Sequence, residues 1–352
     1  MTAKIALAGL GKAARTIHLP AIGSIKDLHV VGGYDPVPPG VAFPFPLFAS
    51  PEEMLEKTRP DILVVATPPA SHFALARVGL EAGCHVFCEK PFMDSQEEVD
   101  EILGLARRAQ RWIVVNNQFR FMNIYRGAKE RIGTPGFGDL LFLSASQIFV
   151  VSPETEAGWR GAERRRTCKD FGTHVFDLCR FFFGEDPISI LARMPKGANQ
   201  ESPDYLNLLQ LEFSGDRVAQ ITLNRLARGR HSYLDLRLDG SAGCIETHLG
   251  GGVEVAAGVR GGTRRPYFRA DISLGGTAIL YQGEHETKIA SEPANVFAHG
   301  TRRLLEAFLQ ALDSGTVPPC NGADNRQTLA LMLAAYQSAE KRAPVLMSSV
   351  LV

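Results

Sequence analysis

Three residues have side chains suited to moving protons: Lys90 and, 80 residues on, Asp170 with His174. Asp170 and His174 stand four apart in Asp170-Phe171-Gly172-Thr173-His174-Val175-Phe176-Asp177, so at the opening of a helix they face the same side. A histidine beside a carboxylate is a candidate general acid/base, because its charge changes near neutral pH. The same pair also reads as an N-cap aspartate and a buried histidine. Lys90 lies in Cys88-Glu89-Lys90-Pro91, directly after an apolar run. A lysine at the carboxyl end of a buried strand points toward the crevice in which open parallel sheets bind ligands. By itself it reads equally as a surface lysine. Its bond to Pro91 has the cis form open to it.

A second group of residues has the types needed to hold a dinucleotide. Gly9-Leu10-Gly11-Lys12-Ala13-Ala14 fits G-x-G-x-x-G/A between a strand and a helix. The first glycine allows the tight turn, the second lets the backbone approach a pyrophosphate, and a small third residue permits close helix–strand packing. The helix N-terminus then attracts the anion. Asp35 follows at the end of the next apolar run, 24 residues after Gly11. An acid about 20 residues on is placed to grip a ribose 2′-hydroxyl; an aspartate before Pro36 is also a common turn residue. No Lys or Arg lies between Lys26 and Lys57, so nothing local favours a 2′-phosphate, although Lys12 or Arg15 could supply one charge. NAD is therefore preferred, with NADP not excluded. Ala66-Thr67-Pro68-Pro69-Ala70-Ser71-His72 follows the third apolar run and falls at the same crevice, with Ser71 also a candidate N-cap.

These residues need elements to position them, and the pattern supplies two kinds. Up to about residue 120, strands at 4–8, 28–34, 61–67, 85–88 and 112–116 alternate with helices at 71–82 and 95–110. Continuous apolar runs such as 62–66 suit strands buried on both faces, and the alternation predicts a doubly wound parallel sheet. Ser95 with Glu98 forms a capping box, and Gly83 stops the preceding helix. Five prolines between residues 36 and 46 forbid a helix after the second strand, so that crossover is a loop. Ser50 and Pro51 then open a short helix. Beyond residue 120 the chain reads as a helix at 123–131, a strand at 140–150 and a helix at 172–183. Strand-like runs follow at 205–213, 218–224, 233–238 and 252–257, then helices at 300–312 and 325–341. Consecutive strands with short turns predict a mostly antiparallel sheet. The expected division is residues 1–120 and 121–352.

Composition excludes several classes. Lys+Arg and Asp+Glu are 38 each in 352 residues, so there is no electrostatic reason to expect nucleic acid or an anionic membrane as partner. No apolar run approaches the ~18 residues that would span a bilayer. The first residues run straight into a strand pattern with no secretory signal. Six scattered cysteines, at 84, 88, 168, 179, 244 and 320, form neither a disulfide framework nor zinc spacing. A cytoplasmic protein with reduced thiols and no metal is expected.

Taken together, Gly9-x-Gly11, Ala66-Thr67-Pro68-Pro69 with His72, Glu89-Lys90-Pro91 and Asp170-x-Gly172-x-His174-x-x-Asp177 occur in one order at one spacing. In this the chain resembles the glucose–fructose oxidoreductase / inositol dehydrogenase / MocA (Gfo/Idh/MocA) family over nearly its whole length. His18-Leu19-Pro20, Arg120-Phe121, Trp159-Arg160 and the C-terminal helix pair before Pro344-Val345 also fit. The resemblance implies a Rossmann domain followed by an α/β domain with a large open sheet, whose face often builds homodimers or homotetramers. It implies hydride transfer between nicotinamide and a carbinol carbon of a sugar, cyclitol or related small molecule. Lys90 would bond the reacting oxygen and help place the nicotinamide, His174 would be the base in oxidation, and Asp170 would orient one of them. Asp177 is left outside the catalytic set. The cofactor-binding set is Gly9, Gly11, Lys12, Ala13, Ala14, Asp35, Thr67, Pro68, His72, Glu89, Lys90 and Gln118. Arg120, Trp159 and Arg160 are placed in the substrate pocket by position alone.

Two departures from the family stand out. The proline-rich loop replaces the helix after the second strand, which bears on the adenine pocket. Glu163-Arg164-Arg165-Arg166-Thr167-Cys168-Lys169 stands where a small, glycine-rich stretch is usual. Its basic residues suggest either an anionic substrate or a solvated charged loop. Two other readings remain open: a redox-neutral lyase or glycosidase that retains NAD, and a non-catalytic dinucleotide sensor.

Overall fold

The computed structural model describes residues 3–37, 40–150, 156, 159–196, 201–228, 232–259 and 266–350. The first half builds a parallel sheet from β1 (Ala3–Ala8), β2 (Leu28–Tyr34), β3 (Leu47–Phe48), β4 (Ile62–Val65), β5 (His85–Cys88) and β6 (Ile113–Val115). Their order is β3-β2-β1-β4-β5-β6, so the direction of winding reverses between β1 and β4. Crevices form at such a reversal, beyond the carboxyl ends of the strands. The sheet is buried on both faces, as the continuous apolar runs require. Ala6, Ala8, Leu63, Val65, Val86 and Val115 face one core, while Ile5, Leu7, Val64, Phe87 and Val114 face the other.

Helices cover the first of these faces. They are α2 (Pro51–Thr58), α3 (His72–Glu81) and α4 (Gln96–Ala109), which follow a short α1 (Leu19–Gly23) on the opposite face. The expected caps form at two of them. Ser95 Oγ accepts the Glu98 N–H at 3.2 Å and Ser50 Oγ accepts the Glu53 N–H at 3.1 Å. Ser71 behaves differently: its hydroxyl turns back to Thr67 Oγ1 and the Pro68 carbonyl, leaving α3 without a side-chain cap. The proline-rich crossover is a loop, as expected, and ends in the two-residue strand β3. A Cβ on Gly32 would fall 2.8 Å from Phe48, and one on Gly33 2.7 Å from Phe45. The loop therefore lays aromatic rings on two glycines where a helix would otherwise pack.

The second half builds a nine-stranded sheet. Its members are β7 (Leu140–Ile148), β8 (Ser189–Arg193), β9 (Leu206–Phe213), β10 (Arg217–Asn224), β11 (Ser232–Gly240), β12 (Cys244–Leu249), β15 (Gly276–Gln282), β16 (His285–Glu292) and β17 (Val345–Leu346). Between β12 and β15, β13 (Gly252–Val259) and β14 (Pro266–Ser273) pair as a separate hairpin. The large sheet is mostly antiparallel; the exception is β7, which runs parallel to β10. Helices α5 (Asn123–Lys129), α6 (Trp159–Ala162), α7 (Thr173–Phe183), α8 (Val296–Ser314) and α9 (Gly322–Lys341) complete the chain.

Two helix starts lie earlier than the pattern suggested. Gly300 reads as a boundary, yet it lies inside α8, because a Cβ there would come 2.7 Å from the Gln118 carbonyl oxygen. Asn321 caps α9 by accepting the Ala323 and Asp324 N–H groups. The packing also crosses the expected division at residue 120. Leu304, Leu305 and Phe308 of α8 cover Ile5, Leu7, Phe87 and Val114 on the first sheet. No helix among the described residues is long and apolar enough to cross a membrane.

Candidate active site

The glycine loop is shaped by contacts that only glycine permits. Gly9 has φ +94°, and a Cβ there would sit 2.6 Å from the carbonyl carbon and oxygen of Ala66. The loop is thereby pressed against the end of β4. Gly11 is the reverse case: nothing lies within 4 Å of where its Cβ would point. The space beside it is open, so a ligand can approach the backbone closely, which is what a pyrophosphate needs. The chain is helical from Lys12, with a π turn over Ala14–His18, and Ala14 is fully buried against the sheet. Lys12 and Ala13 lie on the entry turn, Lys12 exposed. Asp35 braces the loop: Oδ2 accepts the Leu10 N–H at 2.7 Å and Oδ1 the Val37 N–H at 2.9 Å. These residues fit a dinucleotide.

Thr67 and Pro68 form the next rim of the crevice. His72 does not face it. Its ring is buried, with Nε2 3.0 Å from the Thr67 carbonyl oxygen and Nδ1 3.0 Å from that of Pro91. Burial lowers its pKa against these two contacts, and the ring sits between the loops that carry Thr67 and Pro91. Glu89 is buried as well. It accepts from Asn116 Nδ2 at 2.7 Å and pairs with His18 Nε2 at 2.8 Å. Burial would raise its pKa, but hydrogen bonding to His18, then the Lys90 charge and Asn116, hold it at about 2. Glu89 is thus a fixed negative charge beside Lys90, whose bond to Pro91 is cis.

Lys90 brings the two halves of the chain together. Its Nζ donates to Asp170 Oδ1 at 2.9 Å and to the Asp170 carbonyl at 3.0 Å. Asp170 lies in a π turn, Cys168–Gly172, that runs into α7. Single π turns recur at functional sites, because they shift side chains off the regular helical spacing. Arg166 Nη1 donates to Asp170 Oδ2 at 2.5 Å, and Arg225 Nη2 lies 3.7 Å from the same oxygen. Burial opposes the charge on Asp170, but Lys90, Arg166 and Arg225 outweigh it and hold its pKa well below the carboxylate range.

His174 follows in the first turn of α7. Its ring stacks on Phe119, with centroids 4.1 Å apart and planes within 3°, and Nδ1 is buried without a partner. Burial, and then the Lys90 charge, push its pKa well below the usual value. The ring is neutral at pH 7 and able to accept a proton.

Gln118 is buried beside this stack, and its Oε1 has no partner. The residues expected in the substrate pocket are placed differently. Arg120 is not free to bind substrate. It holds Asp177 through two bonds, at 2.7 and 2.6 Å, and Asp324 at 2.9 Å. Burial opposes its charge, but these carboxylates raise its pKa. Asp177, left outside the catalytic set, is buried and bonded to Arg120 and Asn117. Arg160 is exposed on α6, and the side chain of Trp159 lies outside the described residues.

The basic stretch is largely neutralised within the chain. Arg164 pairs with Glu201, Arg165 lies over the Tyr336 ring at 4.9 Å, and Lys169 pairs with Asp94 and Glu163. Arg166 is only 2% exposed and is held by Glu156 and Asp170. It serves the site from within instead of meeting a ligand. The sequence reading missed Arg225, Phe119, Asn116 and Tyr233. The one available signal was a charged residue directly after a strand, at Asn224-Arg225. Among the described residues there is no metal-binding cluster, and all six cysteines are free.

Comparison with known proteins agrees with this layout. A family model described as an oxidoreductase family with an NAD-binding Rossmann fold matches residues 3–117. A second, its C-terminal alpha/beta domain, matches residues 129–347. The D-apiose dehydrogenase of Paraburkholderia graminis is 26% identical over 84% of this chain and 75% of its own. The inositol 2-dehydrogenase of Rhizobium meliloti is 25% identical over 97% and 98%. The fold matches that of an oxidoreductase from Agrobacterium radiobacter, solved with NAD+, L-tartaric acid and magnesium. That match has a TM-score of 0.80, 18% identity and 99% coverage of both chains. The N-terminal domain accordingly takes a nicotinamide dinucleotide, and the chain belongs to the Gfo/Idh/MocA family of oxidoreductases.

Proposed function

We propose that the enzyme interconverts a carbinol and a ketone carbon on a sugar, cyclitol or sugar derivative, with Lys90, Asp170 and His174 carrying the proton chemistry. The observation that supports this most is the Lys90–Asp170 pair, 80 residues apart in sequence and 2.9 Å apart in space, beside a neutral buried histidine. The names of the apiose and inositol dehydrogenases support the substrate class. NAD is the preferred cofactor: Asp35 is the acid at the end of β2, and no cation lies between Lys26 and Lys57. When bound, the cofactor supplies the hydride acceptor or donor.

The protein's own part is proton handling. An alkoxide is unstable in water, so oxidation requires the hydroxyl proton to leave as the hydride does. Neutral His174 accepts that proton and returns it in reduction; a positioned acid/base contributes ~10²–10⁴-fold. The Lys90 ammonium, held by Asp170, favours negative charge on the reacting oxygen. Asp170 fixes the Lys90 ammonium. Glu89 and His72 hold the loops that carry Lys90 and Thr67, and Gln118 presents an unpaired acceptor beside Phe119. The chain assembles as a homodimer or homotetramer through the open face of its large sheet, in a cytoplasmic setting.

The test is absorbance of NADH formed from NAD+ with a panel of sugars, inositols and sugar acids offered singly. Turnover of one class supports the reading. NADH binding with no turnover of any panel member, in either direction, would overturn it.

A further inference from the structure

Among the described residues, one buried cation near the reacting centre has no carboxylate within hydrogen-bonding distance. Arg120, Arg166 and Arg180 each hold a carboxylate within 3.0 Å. Arg225, at the end of β10, is 5% exposed, and its Nε is buried with no hydrogen-bond partner. Its nearest carboxylate oxygen is Asp170 Oδ2 at 3.7 Å, beyond hydrogen-bonding reach and already held by Arg166. A buried guanidinium N–H without a hydrogen bond is costly, and the long ion pair with Asp170 leaves the fork able to take a further anionic partner.

The surroundings of Arg225 lead toward His174. The guanidinium lies over the Phe149 ring at 5.2 Å. Phe149 stacks on Tyr233 with ring planes 8° apart, and Tyr233 meets the edges of Phe171 and Phe297 at 5.4 Å. Phe171 in turn meets the edge of His174 at 5.9 Å. Tyr233 is 40% exposed, so this aromatic floor reaches solvent at Tyr233. A ring or short polyol chain can lay its C–H face on such a floor, with one end at His174 and the other at Arg225. The fork of a guanidinium suits an anionic oxygen group, which it binds through paired N–H bonds.

We propose that Arg225 is the anion anchor of the substrate site, and that the enzyme takes a sugar or polyol bearing a carboxylate or phosphate. This rests on the reading of Lys90, Asp170 and His174 as the reacting centre, and it moves the anion site from the Arg164–Arg166 stretch to a residue outside it.

The test is isothermal titration of NADH-loaded full-length enzyme with matched probes. D-glucuronate, D-galacturonate, D-gluconate and D-glucose 6-phosphate are compared with D-glucose, D-galactose and D-glucitol. At least one acid should bind about tenfold or more tightly than its neutral counterpart. The carboxylate and phosphate arms identify which group is used. Arg225→Gln should remove the preference and leave NADH affinity unchanged. Arg225→Lys, which keeps the charge, should retain part of it and guards against misfolding of the glutamine variant. The proposal fails if no acid is preferred, if the preference survives Arg225→Gln, or if that change weakens acid and neutral probes alike. The last result would make Arg225 a positioning residue for Asp170. NADH formation is read on the same panel. Acid-selective binding through Arg225 without turnover leaves this assignment standing and removes the dehydrogenase reading. Turnover of neutral sugars untouched by Arg225→Gln does the reverse.

Discussion

Lys90 and Arg166 grip opposite oxygens of Asp170, and this fixes how the site responds to pH. Asp170 stays ionised throughout the working range, so its own titration is absent from the rate profile. His174, depressed by burial and by Lys90, is the group that titrates. In oxidation it must be neutral, so kcat/KM should fall only as pH drops through a value below about 6.5. Lys90→Met removes the neighbouring positive charge and should move that limb upward, at much lower rate. A limb above 6.5 in the wild type would contradict this. Arg166→Met should lower kcat, leave NADH affinity intact and bring in a second acidic limb as Asp170 rises toward its usual pKa. Arg164→Ser, which removes only a surface pair with Glu201, should change neither kcat nor Tm measurably, because such pairs contribute ~0–1 kcal/mol. Lys90, Asp170 and His174 are singled out as one set by the family resemblance; taken alone, each reads as a structural or surface residue. Arg120 and Arg166 were misplaced because sequence position does not say whether a cation already has its carboxylate. Asp177 and Glu156, which settle the matter, lie 57 and 10 residues away.

At the scale of elements, the two glycines of the first loop should behave oppositely. Gly9→Ala meets both a positive φ and the Ala66 carbonyl, and should cost about 1–3 kcal/mol of stability with loss of cofactor binding. Gly11→Ala has open space, so Tm should hold while the new methyl group weakens NADH binding. Thermal melts and NADH titration check both. A second prediction concerns Glu292, at the end of β16. Its Oε1 accepts the Ile124 N–H at 2.9 Å, and its Oε2 is buried near His299 and Arg303. Burial raises its pKa to about 7, against hydrogen bonds from Ile124 and Asn123. With the folded value raised, its contribution to stability is complete below the unfolded value and is lost as pH rises through 7. Glu292→Gln should therefore gain relative to wild type between about pH 5 and pH 8 in urea melts. An unchanged difference would contradict the assignment. Much at this scale was legible. Ser95 with Glu98, the proline crossover and the alternating runs all carry local signals. The π turn at Asp170 had none, because a four-residue spacing reads as a regular helix. The start of α8 was hidden by Gly300, whose reason for being glycine is tertiary.

For the molecule as a whole, the first sheet carries the glycine loop, helix α7 beside the second sheet carries His174, and the proposed site exists only where the two halves meet. Lys90 from β5 and Asp170 from the turn before α7 close that junction. The buried Arg120–Asp177–Asp324 cluster clamps it from behind, joining the turn after β6 to α7 and α9. The two-sheet architecture was readable from the change in pattern near residue 120. That α8 returns to cover the first sheet was not, since one amphipathic helix fits either core. The expected homo-oligomer is checked by light scattering, where a monomeric mass would remove it. The most direct test of the central claim is to measure turnover and NADH affinity together in Lys90→Ala. The account predicts that turnover falls roughly 10²–10⁴-fold while NADH affinity stays within a modest factor of wild type. Undiminished turnover in a folded, NADH-binding variant would contradict it.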